Sequence, residues 1–309
     1  MTHLQKCLND YLALRRALGF KLIREGMWLP DFIRSIRANK SPYVTVEDSL
    51  RWAKGKKIPP PPSWVKRLGM ARKFSLYLHA LNPRHEEIPK ELVIHESRKK
   101  FSPYIYSKQD VLRLMTESNK FRTRFKRDTY STLIGLLAAT GMRVGEAIRM
   151  DKTDFNPNLR LIWIRHSKFG KSRQIPLHPT TTKALCRYAK KRDRNITKNT
   201  NPAFFLSTSG TRVRHVNFHH AFHRMVLSIG IGAAHSQSPR IHDLRHSFAV
   251  KTLTTWYRSN LDTGSRLPAL STYLGHVSPS STYVYLHATT ELLQQARKKL
   301  EQPQKGARS

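Results

Sequence analysis

Apolar residues recur at helical spacing along most of this chain, and the places where that spacing stops divide it. Leu4, Leu8, Tyr11 and Leu12 form one stripe, and Leu29, Phe32, Ile33 and Ile36 form another. Thr45 with Asp48 three residues on marks a helix start ahead of Leu50 and Trp52. The prolines from Pro59 to Pro62 then interrupt the chain before Val65, Leu68, Phe74 and Leu78. Between Glu91 and Tyr104 the pattern weakens into a polar, highly charged run, His95 to Lys100. At 309 residues the chain has room for two cores. The expected organisation is a helical module over 1–96, a linker over 97–103, a second domain over 104–300 and a polar, disordered tail over 301–309.

The second domain departs from the all-helical pattern at one place. Ser107 with Asp110 opens a helix, and Asp128 through Leu133, Leu136, Leu137 and Ala138 reads as a buried one ending at Gly141. Arg160–Arg165 and Arg173–Leu177 are then short strand-like runs flanking a Lys168–Lys171 turn, as a hairpin requires. Helical patterns resume at Pro179, at Phe218, across Asp243–Tyr257, near Ser280 and from Thr290 to Leu300. The fold class is mainly α with a small β-sheet.

Charge sets the class of partner. Lys and Arg number 56 against 20 Asp and Glu, a formal net charge of +36. Such an excess favours a polyanion, because each neutralised phosphate releases condensed counterions. Nucleic acid leads, although a ribosome-associated or membrane-surface protein would share the excess. Lys54, Lys56, Lys57, Lys66, Arg67, Arg72 and Lys73 cluster around the proline block and are the expected DNA-facing side chains of the first module, with Lys171 and Arg173 joining them from the second domain. Cys7 and Cys186 lie far apart and form no C-x-x-C pair, which fits a reducing compartment. No run of about 18 apolar residues occurs, so the expected setting is cytoplasmic and nucleoid-associated, with no membrane span.

One set of residues carries chemistry. Arg143 follows a glycine that ends one helix and sits at the first turn of the next, where a guanidinium and free backbone N–H groups can face one anion. His242 and Arg245, three apart, share a helical face. Two arginines from distant segments could clamp the non-bridging oxygens of one phosphate and stabilise a pentacovalent transition state. A free phenol has a pKa of about 10 and needs a base or a cationic field to attack; Tyr283 and Tyr285 are the nearby phenols, and His242 is the best candidate base. His242 and His246 also have the spacing of a zinc pair, but Asp-Leu-Arg lies between them and no third ligand is evident, so no metal site is expected. His219, His220 and His223 read as helix-face or DNA-backbone residues.

In order, these boxes resemble the tyrosine recombinase family, the phage-integrase-like enzymes, over roughly residues 104–300. The T-G-x-R-x-x-E-like box matches Arg143, with Glu146 supporting it; the H-x-x-R box matches His242 and Arg245; the L-G-H box matches His276. The family's nucleophile lies nine residues after that histidine, which selects Tyr285 over Tyr283. Its general acid is a lysine in a β-hairpin turn, matching Lys168, with Lys171 a near neighbour. His276 is then a hydrogen-bond donor to the phosphate. The resemblance implies a SAM-like core-binding domain and a catalytic domain closing as a C-shaped clamp on double-stranded DNA. It also implies a 3′-phosphotyrosyl intermediate, a Holliday junction, no cofactor, and a homo-tetramer on paired sites that accessory proteins can assist. In that assembly a C-terminal helix packs on the neighbouring subunit, for which Leu292, Leu293, Ala296 and Leu300 offer a stripe.

Two features refine the resemblance. The stretch Trp256–Arg266, between the second and third boxes, reads as an insertion relative to compact members, and the wording from Arg266 to His276 is similar to transposon-encoded branches. The N-terminal region is too short for an added arm-site domain, so a simple site in a mobile element is expected. The competing readings are a catalytically silent DNA-binding regulator with the same fold, a type IB topoisomerase and a metal-dependent nuclease.

Overall fold

The structure is a computed structural model that describes residues 2–39, 41–55, 63–94, 103–165, 172–196, 200–233, 235, 238–259, 261–276, 280–283 and 285. Lys56, Lys57, Lys168, Lys171, residues 97–102 of the expected linker, the stripe Leu292, Leu293, Ala296 and Leu300, and the tail 301–309 lie outside the described residues. The chain divides into two compact units, Met1–Phe101 and Ser102–Ser309. It is mostly helical, with one three-stranded sheet among the described residues.

In the first unit the helices are α1 (His3–Ala17), α2 (Ile23–Ala38), α3 (Val46–Lys54), α4 (Trp64–Leu81) and the single turn α5 (Glu91–Ile94). The stripes read from sequence face one another: Leu8, Leu29, Phe32, Ile33, Ile36, Leu68 and Phe74 are all buried in one cluster. Thr45 caps α3, its hydroxyl accepting the Asp48 N–H at 3.1 Å. Trp52 packs its ring on Phe32 and donates its indole N–H to Asp31 at 3.0 Å, so the buried indole keeps a partner.

In the second unit α6 (Lys108–Glu117) starts at a capping box between Ser107 and Asp110. Next come α7 (Arg124–Thr140), α8 (Val144–Arg149) and the antiparallel strands β1 (Phe155–Asn156), β2 (Leu161–Ile164) and β3 (Arg173–Pro176). Register pairs Ile162 with Ile175 and Ile164 with Arg173; Ile162, Ile164 and Ile175 are buried. The helices α9 (Pro179–Asn195), α10 (His215–Ser228), α11 (Ile241–Arg258), α12 (Thr263–Leu274) and the turn α13 (Ser280–Tyr283) follow. Helix α7 packs against α6, α9 and α11, and its buried face of Leu133, Ile134, Leu136 and Leu137 sits in the main core.

The expected insertion at Trp256–Arg266 is taken up by helices. Helix α11 runs through Arg258, the Leu261 N–H returns to the Trp256 carbonyl at 2.9 Å, and Asp262 caps α12 by accepting the Gly264 N–H at 3.0 Å. The missed helix α12 carries Pro268 inside it and buries Leu267, Leu270 and Leu274 with Leu253 in a second, smaller cluster. The proline breaks the expected pattern in sequence, and in α12 it forgoes the bond its N–H would make to the Gly264 carbonyl, a loss set against the burial of Leu267, Leu270 and Leu274.

Candidate active site

Two helix ends build the site. Helix α7 stops at Gly141, whose left-handed φ of 61° turns the chain sharply; a Cβ there would lie 2.5 Å from the Phe248 ring. Two residues later Arg143 occupies the position before α8, as its sequence implied. Glu146, in the first turn of α8, accepts the Arg143 backbone N–H at 2.9 Å and its Nη1 at 2.8 Å. The carboxylate thus orients the arginine from both its main chain and its side chain.

Helix α12 ends in the same way at Gly275, φ 69°. Its carbonyl accepts Arg143 Nη2 at 2.8 Å, and the preceding Leu274 carbonyl accepts Arg245 Nη2 at 2.5 Å. Arg245 Nη1 reaches back to the Gly141 carbonyl at 3.0 Å. Each guanidinium is therefore bound to carbonyls at helix C-termini, where partial negative charge favours a cation. Arg245 is only 2% exposed. Burial, then the nearby Arg143, lower its pKa to about 10, while Tyr285 and Glu146 oppose that shift; it remains a cation at pH 7.

A third arginine completes the frame. Arg173, the first residue of β3, gives Nη2 and Nη1 to Glu146 at 2.8 and 3.1 Å and Nε to the Tyr273 carbonyl at 2.7 Å. Burial alone would raise the Glu146 carboxyl, but Arg173 and Arg143 together hold it down at about 2. Arg173 was expected to face DNA. Its side chain is 10% exposed and fully engaged by Glu146 and Tyr273, so it braces the site from within.

The remaining groups are aromatic. The Tyr285 ring, 3% exposed, lies 6.0 Å from His276 in a stacked arrangement and 5.3 Å from His246 edge-on; His246 in turn lies 4.8 Å from His242. Tyr283 is 51% exposed. His276 Nδ1 is 2.7 Å from the Thr282 hydroxyl. Burial, then Arg245, Arg143, His242 and Arg173, push His276 down to about 4. His242 is pushed down to about 4 by the protein crowding it and then by His246, Arg245 and Arg240, although Asp243 opposes them. His242 keeps an exposed edge where solvent screens part of that effect, and both imidazoles are neutral at pH 7.

Arg143, Glu146, His242, Arg245, His276 and Tyr285 thus come together, although they are scattered over half the chain; Lys168 lies outside the described residues. Sequence reasoning missed the bracing role of Arg173, the packing of His246 between His242 and Tyr285, and Thr282. For Arg173 a signal existed, since it opens the strand after the hairpin turn. In the first unit, Lys54, Lys66 and Lys73 are exposed, and Arg72 is half-buried. Lys66, Arg72 and Lys73 line a 480 Å³ cavity with Lys90. Arg67 instead lies 4.3 Å above the Trp52 ring and bonds Asp31 at 3.3 Å. His219, His220 and His223 are exposed on α10. No three His, Cys, Asp or Glu side chains gather as a metal-ligand group among the described residues.

With this geometry in place, relatives give the class. Residues 104–291 match the phage integrase family, so the chain belongs to that family, and it is a tyrosine-type site-specific recombinase. It is 37% identical over 308 residues to the putative integrase/recombinase y4rB of Sinorhizobium fredii (strain NBRC 101917 / NGR234), covering 97% of this chain and 98% of that protein. It is 30% identical over 242 residues to the tyrosine recombinase XerD of Brucella suis biovar 1 (strain 1330), covering 75% and 74%. In fold it is similar to the Tn1549 transposon integrase in complex with transposon right end DNA, with a TM-score of 0.62 at 17% identity over 96% of this chain and 98% of that one. No helix among the described residues is long and apolar enough to cross a membrane.

Proposed function

We propose that this recombinase cuts and rejoins duplex DNA at specific sites through a 3′-phosphotyrosyl intermediate at Tyr285. The observation that carries the proposal is the pair of guanidiniums, Arg143 and Arg245, fixed to the Gly275, Leu274 and Gly141 carbonyls beside a buried tyrosine. A scissile phosphate bound there would meet cations already oriented for the charge that grows in the transition state.

Tyr285 Oη attacks phosphorus as its phenolic proton passes to His242, which is neutral at pH 7 and so able to take it. The P–O5′ bond breaks, the 5′ oxygen takes a proton from Lys168 and leaves as a hydroxyl, and the new ester joins the 3′ phosphate to Tyr285. Attack by a 5′ hydroxyl from the partner duplex reverses these steps. One ester replaces another, so the bond's free energy is retained without a nucleotide cofactor. Tyr285 is packed against His276 and His246 of its own chain, which favours cleavage by each subunit's own tyrosine. Two such exchanges through a Holliday junction, in a tetramer on paired sites, would integrate or excise a mobile element.

The test is incubation with nicked suicide duplexes carrying the DNA that flanks the coding region, followed by denaturing electrophoresis and mapping of the linked residue. Tyr285→Phe abolishes the covalent adduct while DNA affinity stays nearly unchanged, because only a hydroxyl is lost. Loss of the adduct in Tyr283→Phe instead would move the nucleophile to Tyr283. Adduct formation on any plasmid without a flanking sequence would point to a topoisomerase.

A further inference from the structure

We propose that Thr282 is a positioning residue, whose hydroxyl donates to His276 Nδ1 and so fixes the tautomer in which Nε2 carries the proton. The two atoms are 2.7 Å apart, and Thr282 is 1% exposed, so bulk water does not compete for its hydroxyl. A hydroxyl can donate or accept, and a neutral imidazole carries its proton on one nitrogen only. If Nδ1 held that proton, Nε2 would offer a lone pair, and against an anionic phosphate two acceptors would face each other. With Thr282 as the donor, Nε2–H becomes a hydrogen-bond donor without any charge on the ring.

His276 needs that arrangement because its surroundings keep it neutral. Arg245, Arg143, His242 and Arg173 lie around it, with the Tyr285 ring stacked on its face. A protonated imidazole, which donates from both nitrogens, is disfavoured among three arginines. The remaining way to present N–H to a phosphate is the Nε2–H tautomer.

Placement gives the bond a second consequence. Thr282 sits on α13, three residues before Tyr285, on the segment that carries the nucleophile. The bond thus joins the segment that carries Tyr285 to the histidine that would face the phosphate. This part rests on the phosphotyrosine reading above.

Two measurements on the full chain test the inference. Long-range ¹H–¹⁵N correlation spectra at pH 7, with the His276 signals assigned by their loss in His276→Asn, report the tautomer in the free protein. The expected result is Nε2–H in the wild type and in Thr282→Ser, with a shift toward Nδ1–H in Thr282→Val. On suicide DNA, Thr282→Val slows adduct formation by roughly 10- to 100-fold, less than or comparable to the loss of one oxyanion donor, and Thr282→Ser restores most of the rate. An Nδ1–H signal in the wild type overturns the inference, and so does a Thr282→Val protein with the wild-type adduct rate. Should Thr282→Val fail to fold, the wild-type spectrum and the serine variant decide alone. A wild type with Nε2–H that forms no adduct supports the hydrogen bond and overturns the reaction reading instead.

Discussion

The two helix ends that hold the arginines are alike in backbone and opposite in what surrounds them. Both α7 and α12 stop at a left-handed glycine, and both pass a carbonyl to a guanidinium. At Gly141 the space a Cβ would need is filled by the Phe248 ring, which stacks on Tyr273 at 5.5 Å between ring centres. At Gly275 it is filled by the guanidinium of Arg173, whose nitrogens would lie 2.8 and 3.3 Å from it. The first end is set by apolar packing. The second is set by charge, through Arg173 and the Glu146 carboxylate that also orients Arg143. The two ends thus rest on different forces, an apolar ring at Gly141 and an ionic pair at Gly275.

The sharpest way to break that contrast is to remove the carboxylate on which the second end depends. Glu146→Ala leaves Arg173, 10% exposed, and part of Arg143 without their anion. Removing one partner of a buried pair costs about 3–5 kcal/mol, which urea unfolding at pH 7 would read directly. A loss under about 1 kcal/mol would mean that solvent screens the pair and that charge does not set the second end.

Substitution at the glycines separates the two ends. Gly141→Ala carries the left-handed penalty and forces the Phe248 ring to move, for a stability loss of about 2–4 kcal/mol. Gly275→Ala carries the same backbone penalty of about 1–2 kcal/mol, but the group it displaces is the end of a long side chain. Its larger effect is expected on the rate of adduct formation, because moving Arg173 disturbs Glu146 and through it Arg143. Equal losses of stability in the two variants would erase the distinction.

How far the sequence reached follows the same line. Side chains that meet through local spacing were legible: Thr45 with Asp48, Ser107 with Asp110, Arg143 with Glu146, and the strands on either side of the hairpin turn. The ordered boxes also selected Tyr285, which lies within the site while Tyr283 is exposed. What local spacing does not give are contacts between side chains on different elements. Arg173 looks like one more surface cation in a chain with 56 basic residues, and only the fold brings it to Tyr273 and Glu146. Arg67 is a similar case, since its place over Trp52 depends on how α3 meets α4. Helix α12 was missed because Pro268 and the polar start at Thr263 hide its apolar face.

The smallest expected effect concerns protons, and it again falls on one end only. His276, the residue after Gly275, is held neutral in the folded protein with its pKa lowered from 6.5 to about 4 by burial and the surrounding cations. The unfolded chain takes up a proton on this ring as pH falls below about 6.5, whereas the folded protein does not until about pH 4. Folding stability therefore declines from this group as pH drops through that window, and the loss levels off below it. By pH 5.5 the contribution is about 1 kcal/mol. His276→Asn should remove it, so the fall in stability between pH 7.5 and 5.5, followed by urea titration, becomes shallower by that amount in the variant. Gly141→Ala, which alters the end that carries no such group, should leave the slope as it is in the wild type. An unchanged slope in His276→Asn would mean that the ring is already reached by water and that the second end is less enclosed by its arginines than their distances imply.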